Sequence, residues 1–299
     1  MLTRRQLMKN TSAAAAGAVL TGGLSRLGRA ADGGFGWLAG RLAAIEAQSG
    51  GRLGVAVLDT GTGVRSGHRA GERFPMCSTF KLLAVGAVLT RVDTGREQLD
   101  RRVRFEASDV VVNSPITKDR TGGDGMTLGE LCAAAIDYSD NTAGNLLLRS
   151  FGGPAALTAY ARSLGDLVTR LDRIEPDLNE ATPGDPRDVT TPVAMLANLR
   201  RLAQGDFLSA SSRDQLVRWL QANKTGDARL RAGLPPGWRV ADKTGSGERG
   251  STNDVGLVWP PDGAPILVSI YLTNTKAPPE HRNATLAAVG RAVAEAVLA

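Results

Sequence analysis

Thr252-Asn253-Asp254-Val255-Gly256-Leu257-Val258-Trp259-Pro260-Pro261-Asp262-Gly263-Ala264-Pro265-Ile266-Leu267-Val268-Ser269-Ile270-Tyr271-Leu272-Thr273 is the stretch on which the fold turns. Val255, Leu257 and Trp259 alternate along the chain, the period of a strand, and Pro265–Thr273 is a second strand-like run. Pro260-Pro261-Asp262-Gly263 between them is turn chemistry, so the two runs read as an antiparallel hairpin. Immediately upstream, Arg239–Asp242 reads as a further strand. Downstream, an amphipathic helix runs from Pro279 to Leu298. Near the other end of the chain, Leu53, Val55 and Val57 alternate with small residues and stop at the turn Asp59-Thr60-Gly61. A short helix over Arg41–Gln48 precedes them.

The middle of the chain has a different texture. Ser78–Val92 is apolar nearly all round, as a buried helix is. Gly122–Gly125 is a loop, and Thr127 with Glu130 forms a capping box ahead of Leu128, Leu131, Cys132 and Ala135. Helical patterns continue over 142–150, 154–164, 192–203 and 209–222. The interval 170–190 is charged and interrupted by Pro176, Pro183, Gly184 and Pro186, and reads as an ordered surface loop of the length that usually serves function. Terminal strands and helices therefore make one antiparallel sheet covered by helices, an α+β arrangement with the helical middle inserted as a second lobe. The boundaries expected are 31–70 and 223–299 for the sheet lobe, and 71–222 for the all-α lobe. Chemistry is expected in the cleft between them.

The 299 residues include 36 basic and 30 acidic ones, a net charge of +6. Residues 1–30 contain Arg4, Arg5, Lys9, Arg26 and Arg29 and no acid, which leaves an excess of about one over the rest and removes the basic surface a nucleic acid would need. No nucleic-acid partner is expected. Twin arginines ahead of the weak apolar segment Ser12–Leu20 resemble a twin-arginine (Tat) export signal ending near Ala30, too short to cross a bilayer. The expected location is therefore periplasmic or secreted, with no membrane insertion after cleavage. Two histidines, His68 and His281, are too few for a histidine-rich zinc site, and both read as solvated surface residues. Cys77 and Cys132 have neither paired nor CxxC spacing.

Four short motifs remain. In Cys77-Ser78-Thr79-Phe80-Lys81, a serine at a helix start has a lysine one turn on; an apolar surrounding lowers a lysine pKa toward a useful base. Ser139-Asp140-Asn141 lies between helices, where a hydroxyl can relay a proton, although alone it reads as a helix cap. Lys243-Thr244-Gly245 closes a strand with a cation, a hydroxyl and a residue that lets backbone approach closely, which suits a carboxylate-bearing substrate. In the long loop, Glu175 and Asn179 are four apart, so one helical turn aims a carboxylate and an amide at a common water. Each motif alone has a bland structural reading. Their order and separations do not.

In that order the motifs resemble the class A serine β-lactamases, from about residue 35 to the C-terminus. The resemblance implies an α/β/α sandwich around a five-stranded antiparallel sheet. It implies Ser78 as a nucleophile that is acylated, activated either by its proton partner Lys81 or by Glu175 through a water, Ser139 as donor to the lactam nitrogen, and Glu175 with Asn179 as the deacylating pair. Asn141, Lys243, Thr244, Gly245 and Ser246 would contact substrate. Backbone N–H groups of Ser78 and Ser246 would form the oxyanion hole. A cis Glu175–Pro176 bond and an Arg173–Asp188 pair are implied for the loop. Thr252 stands where many members carry an arginine. Arg229 resembles an alternative source of that cation, with Arg282 a weaker substitute. Asn113 occupies a position often aromatic, and two free thiols are expected. No cofactor or metal is implied. The partners are small-molecule β-lactams, and the chain is expected to be a monomer. The competing reading, a D-alanyl-D-alanine carboxypeptidase, does not account for Glu175 and Asn179.

Overall fold

The computed structural model describes residues 34–299, so the export-signal reading of 1–30 lies outside the described residues. In chain order the helices are α1 (Phe35–Ser49), α2 (Phe80–Asp93), α3 (Leu128–Asp137), α4 (Asn141–Phe151), α5 (Gly153–Ser163), α6 (Pro192–Ala203), α7 (Ala210–Ala222) and α8 (Pro279–Leu298). The strands are β1 (Arg52–Asp59), β2 (Arg65–His68), β3 (Phe74–Pro75), β4 (Arg102–Val103), β5 (Met126–Thr127), β6 (Val189–Thr190), β7 (Arg239–Ser246), β8 (Thr252–Trp259) and β9 (Ile266–Thr273). Helix α1 begins six residues before the expected start, because Phe35 and Leu38 extend the buried stripe of Leu42 and Ile45.

Strands β2-β1-β9-β8-β7 form one five-stranded sheet with every neighbour antiparallel. The expected hairpin is β8–β9, closing with Val258 opposite Ile266. Strand alternation sorts side chains to two cores. Leu53, Val55, Val57, Val268 and Ile270 pack against Leu38 and Leu42 of α1 and Leu286, Val289 and Val293 of α8. Ala56, Leu58, Val255, Leu257, Leu267 and Tyr271 face the larger cluster built with α2, α3, α4 and α6. Both faces of the sheet are thus covered, and β9 is buried along its whole length.

The longest buried run of the helical part is Phe80–Leu89 of α2, where every residue is buried, Lys81 included. Such a helix has no polar face to give to water, which is why its sequence shows no amphipathic period. The Thr127–Glu130 capping box forms at the start of α3. Residues between α5 and α6 fold as a loop whose ends meet where Arg170 bridges Val189. One expectation fails. His68 is not solvated: its Nε2 lies 2.7 Å from Glu46 Oε2 in a half-buried pair, because β2 folds back over α1. His281 does remain exposed.

Candidate active site

Ser78 sits in the tight turn Cys77–Thr79 that feeds α2. Cys77 adopts φ 45°, an uncommon conformation for a residue with a side chain, and one that persists only where its surroundings hold it. Here Asn253 Nδ2 of β8 donates to the carbonyls of Pro75 and Met76 at 3.0 Å each, and Thr79 Oγ1 donates to Met76 O at 2.8 Å. The sheet therefore positions the serine. Gly245 of β7 contributes by what it lacks, since a Cβ there would come within 3.0 Å of Met76 O.

One turn further, Lys81 Nζ donates to Ser78 Oγ at 2.8 Å, to Asn141 Oδ1 at 2.7 Å and to Ser139 O at 2.9 Å, and lies 2.9 Å from Glu175 Oε1. The ammonium is fully buried. Burial pushes its pKa below the ordinary lysine value, an effect that the Glu175 charge partly offsets. Ser78 Oγ in turn donates to Glu175 Oε1 at 3.1 Å.

Ser139-Asp140-Asn141 is both a cap and a site element. Asp140 caps α4 by accepting from Ala143 N at 2.8 Å, and also accepts from the N–H groups of Ile116 and Thr117 at 2.9 Å. Its neighbours are thereby turned toward the cleft, Ser139 with φ 57°. Lys243 Nζ donates to Ser139 Oγ at 2.9 Å and to Thr244 O at 2.8 Å. Burial holds the Lys243 pKa well below the ordinary lysine value, with Lys81 and Arg229 lowering it further.

Glu175 reaches the site from the 170–190 loop across a cis peptide bond to Pro176. Asn179 Nδ2 donates to Glu175 Oε2, while Asn179 Oδ1 is buried with no partner among the described residues. The loop ends are clasped at Asp188, which accepts from the N–H groups of Asp172 at 2.7 Å and Arg173 at 3.0 Å and from Arg173 Nε at 2.6 Å. Glu248 N donates to Asn179 O at 2.9 Å, tying the loop to the exit of β7.

Two positioning residues escaped the sequence reading. Asn145 donates to Glu175 O and accepts from Glu175 N, both at 2.9 Å, so a single amide fixes the carboxylate's backbone. Its spacing of four from Asn141 put both on one helical face, a usable signal. Asn253 broke the alternation of Val255, Leu257 and Trp259 with a second amide, a fainter one.

A cleft of about 580 Å³ opens over these groups, lined by Ser78, Ser139, Asn141, Asn179, Thr244 and Ser246, with Lys81, Glu175 and Lys243 buried behind it. Arg229 lines it as well, donating to the carbonyls of Gly245 and Asn253 at 2.8 Å each and to Ser246 Oγ at 2.6 Å. Arg282 does not line the cleft. Cys77 and Cys132 are free and buried.

The profile of the Beta-lactamase enzyme family matches residues 38–297. The chain is 49% identical over 255 residues to β-lactamase CTX-M-8 of Citrobacter amalonaticus, covering 85% of this chain and 87% of that protein. It is 51% identical over 257 residues to β-lactamase AST-1 of Nocardia asteroides, covering 86% and 83% respectively. Among solved structures, an ancestral class A β-lactamase (GNCA) is 62% identical and superimposes with a TM-score of 0.85 over 87% of this chain and 99% of that one.

Proposed function

This chain belongs to the class A serine β-lactamases, enzymes that hydrolyse the β-lactam amide bond and confer resistance to these antibiotics, and from that premise we propose the residue roles that follow. Ser78 Oγ attacks the lactam carbonyl carbon. With Lys81 donating to that oxygen, the serine proton faces Glu175 Oε1 and passes to it. The N–H groups of Ser78 and Ser246 stabilise the oxyanion, a contribution of about 3 kcal/mol per donor. As the C–N bond breaks, the Ser139 hydroxyl, kept poised by the Lys243 ammonium, gives its proton to the lactam nitrogen. It is reprotonated by the proton that Glu175 took from Ser78, relayed through the Lys81 ammonium, which leaves Glu175 a carboxylate again. Asn141 orients Lys81 and the acyl side chain. Thr244, Ser246 and Arg229 hold the substrate carboxylate beside the free edge of β7, with Gly245 supplying the close approach.

Deacylation uses the same carboxylate. A water hydrogen-bonded through one proton to Glu175 and through the other to Asn179 Oδ1 is aimed at the Ser78 ester. Glu175 takes the first proton as the water oxygen attacks and returns it to Ser78 Oγ as the ester C–O bond breaks, while the second leaves with the new carboxyl group. The observation that carries this reading is the direct contact of Ser78 with both Lys81 and Glu175, held by Asn145 and Asn179. A carboxypeptidase would have no use for that second pair. Mass spectrometry of the chain mixed with benzylpenicillin tests it: Glu175→Ala should accumulate a covalent adduct at Ser78 while turnover falls by about two to four orders of magnitude. Normal turnover by that variant would refute the assignment.

The two-lobe division at 31–70 with 223–299 and at 71–222 belongs to the same proposal, as does export directed by residues 1–30. Changing both Arg4 and Arg5 to Lys should retain the protein in the cytoplasm. No helix among the described residues is long and apolar enough to cross a membrane.

A further inference from the structure

Two charged side chains, Lys118 and Arg229, line the mouth of the cleft, and no acid does. Arg229 is committed to Gly245, Asn253, Ser246 and Asn283. Lys118 is exposed and makes no ion pair among the described residues. Asp119, which follows it, is not among the lining residues and makes no ion pair among the described residues, and Arg120 beyond it pairs with Glu130 at 3.1 Å. The backbone beneath it is fixed, because buried Asp140 holds Ile116 and Thr117 and Lys118 N donates to Ser114 O at 3.2 Å. Asp140 directly follows Ser139, so Lys118 stands on the wall that carries the Ser139 hydroxyl, together with Tyr138. Arg229 and Thr244 form the wall opposite.

We infer that Lys118 is a specificity-determining residue that favours β-lactams bearing a second anionic group on the ring that leaves with the lactam nitrogen. The inference rests on the proposed role of Ser139, which places that nitrogen and its ring against this wall. The ring carboxylate is taken by Thr244, Ser246 and Arg229, and a further anion on the same ring then has one uncommitted cation to meet. The attraction acts through solvent. Across roughly 7 Å of water a pair of unit charges changes an equilibrium by a factor of about two to three, and salt screens it.

The test uses two cephalosporins with the same acyl side chain, one with a carboxylate in the 3-substituent and one with a quaternary ammonium there. The readout is the ratio of their kcat/KM values for each enzyme, so a general loss of activity cancels. Lys118→Gln should lower the anionic-to-cationic ratio by about fivefold at low salt, and Lys118→Glu by about twentyfold or more. About 0.5 M NaCl should bring the three ratios together. Ratios that agree within twofold at low salt overturn the inference while leaving hydrolysis intact. Failure of the unmodified chain to consume any cephalosporin overturns the hydrolase reading beneath it.

Discussion

Asn145 shows how much one side chain carries. Among the described residues, its amide is the side-chain partner of the Glu175 backbone on both the N–H and the C=O side. Asn145→Ala leaves two half-buried polar groups unpaired, at about 1–3 kcal/mol each. Urea unfolding should register that loss, and stopped-flow traces should show deacylation slowed more than acylation. An unchanged ratio of the two steps would mean that Glu175 is held by something else. Lys243 makes a second prediction. Its pKa lies well below the ordinary 10.5, through burial first and then through Lys81 and Arg229. A cation with a depressed pKa is lost at lower pH than an exposed lysine's. The acylation rate should therefore fall on the alkaline side before pH 10.5 is reached, as the charge beside Ser139 Oγ is lost, and Lys243→Arg should shift that limb upward. The thiols supply a third. Burial pushes both Cys77 and Cys132 far above the range in which a thiolate forms. Iodoacetamide should leave the native chain unlabelled and add two groups in denaturant; labelling of native protein would show the core opening.

At the scale of elements, the sequence was read best where one period ran long. Strands β8 and β9 and helices α6 and α8 lie within a residue of their expected bounds, because their apolar pattern and their end signals agree. Strand β7 reached Ser246 instead of stopping at Asp242, since Asp242, Lys243 and Thr244 are polar residues buried on an edge strand. Alternation cannot announce a strand whose inward positions carry chemistry. The two-residue pairs β3–β6 and β4–β5 were invisible for another reason: contacts between distant segments make them, not local propensity. The loop 170–190 holds its shape through the Asp188 clasp. Asp188→Ala removes a buried carboxylate from Arg173 and two backbone donors, and should cost about 2–4 kcal/mol. Faster hydrogen exchange over 172–180, with loss of turnover at unchanged far-UV circular dichroism, is the expected signature. Protection equal to that of the unmodified chain would assign the clasp no role in loop order.

At the scale of the molecule, α1 is tied to the sheet by one acid. Glu46 accepts from Leu53 N at 2.9 Å and from Arg69 Nε at 2.7 Å and contacts His68. Burial raises its pKa, but Arg69, His68 and Leu53 together bring it down to about 2 from an ordinary 4.5. A folded-state pKa below the unfolded one gives stability that is complete above about pH 4.5 and lost as pH falls toward 2. The melting temperature should decline across that window, and less steeply for Glu46→Gln. Equal slopes would place the acid sensitivity elsewhere.

What the amino-acid order determined by itself was the set of elements with long periods and the four motifs whose residue types admit one chemistry when taken together. Their meeting was decided by the folded chain. Ser78, Ser139, Glu175 and Lys243 come from a turn, an inter-helix loop, a long surface loop and a sheet edge, and they share hydrogen bonds across up to 104 positions of sequence. Periodicity is a property of neighbours along the chain. The low polarity that depresses the lysines and the amides that aim Glu175 arise only when remote segments exclude water together.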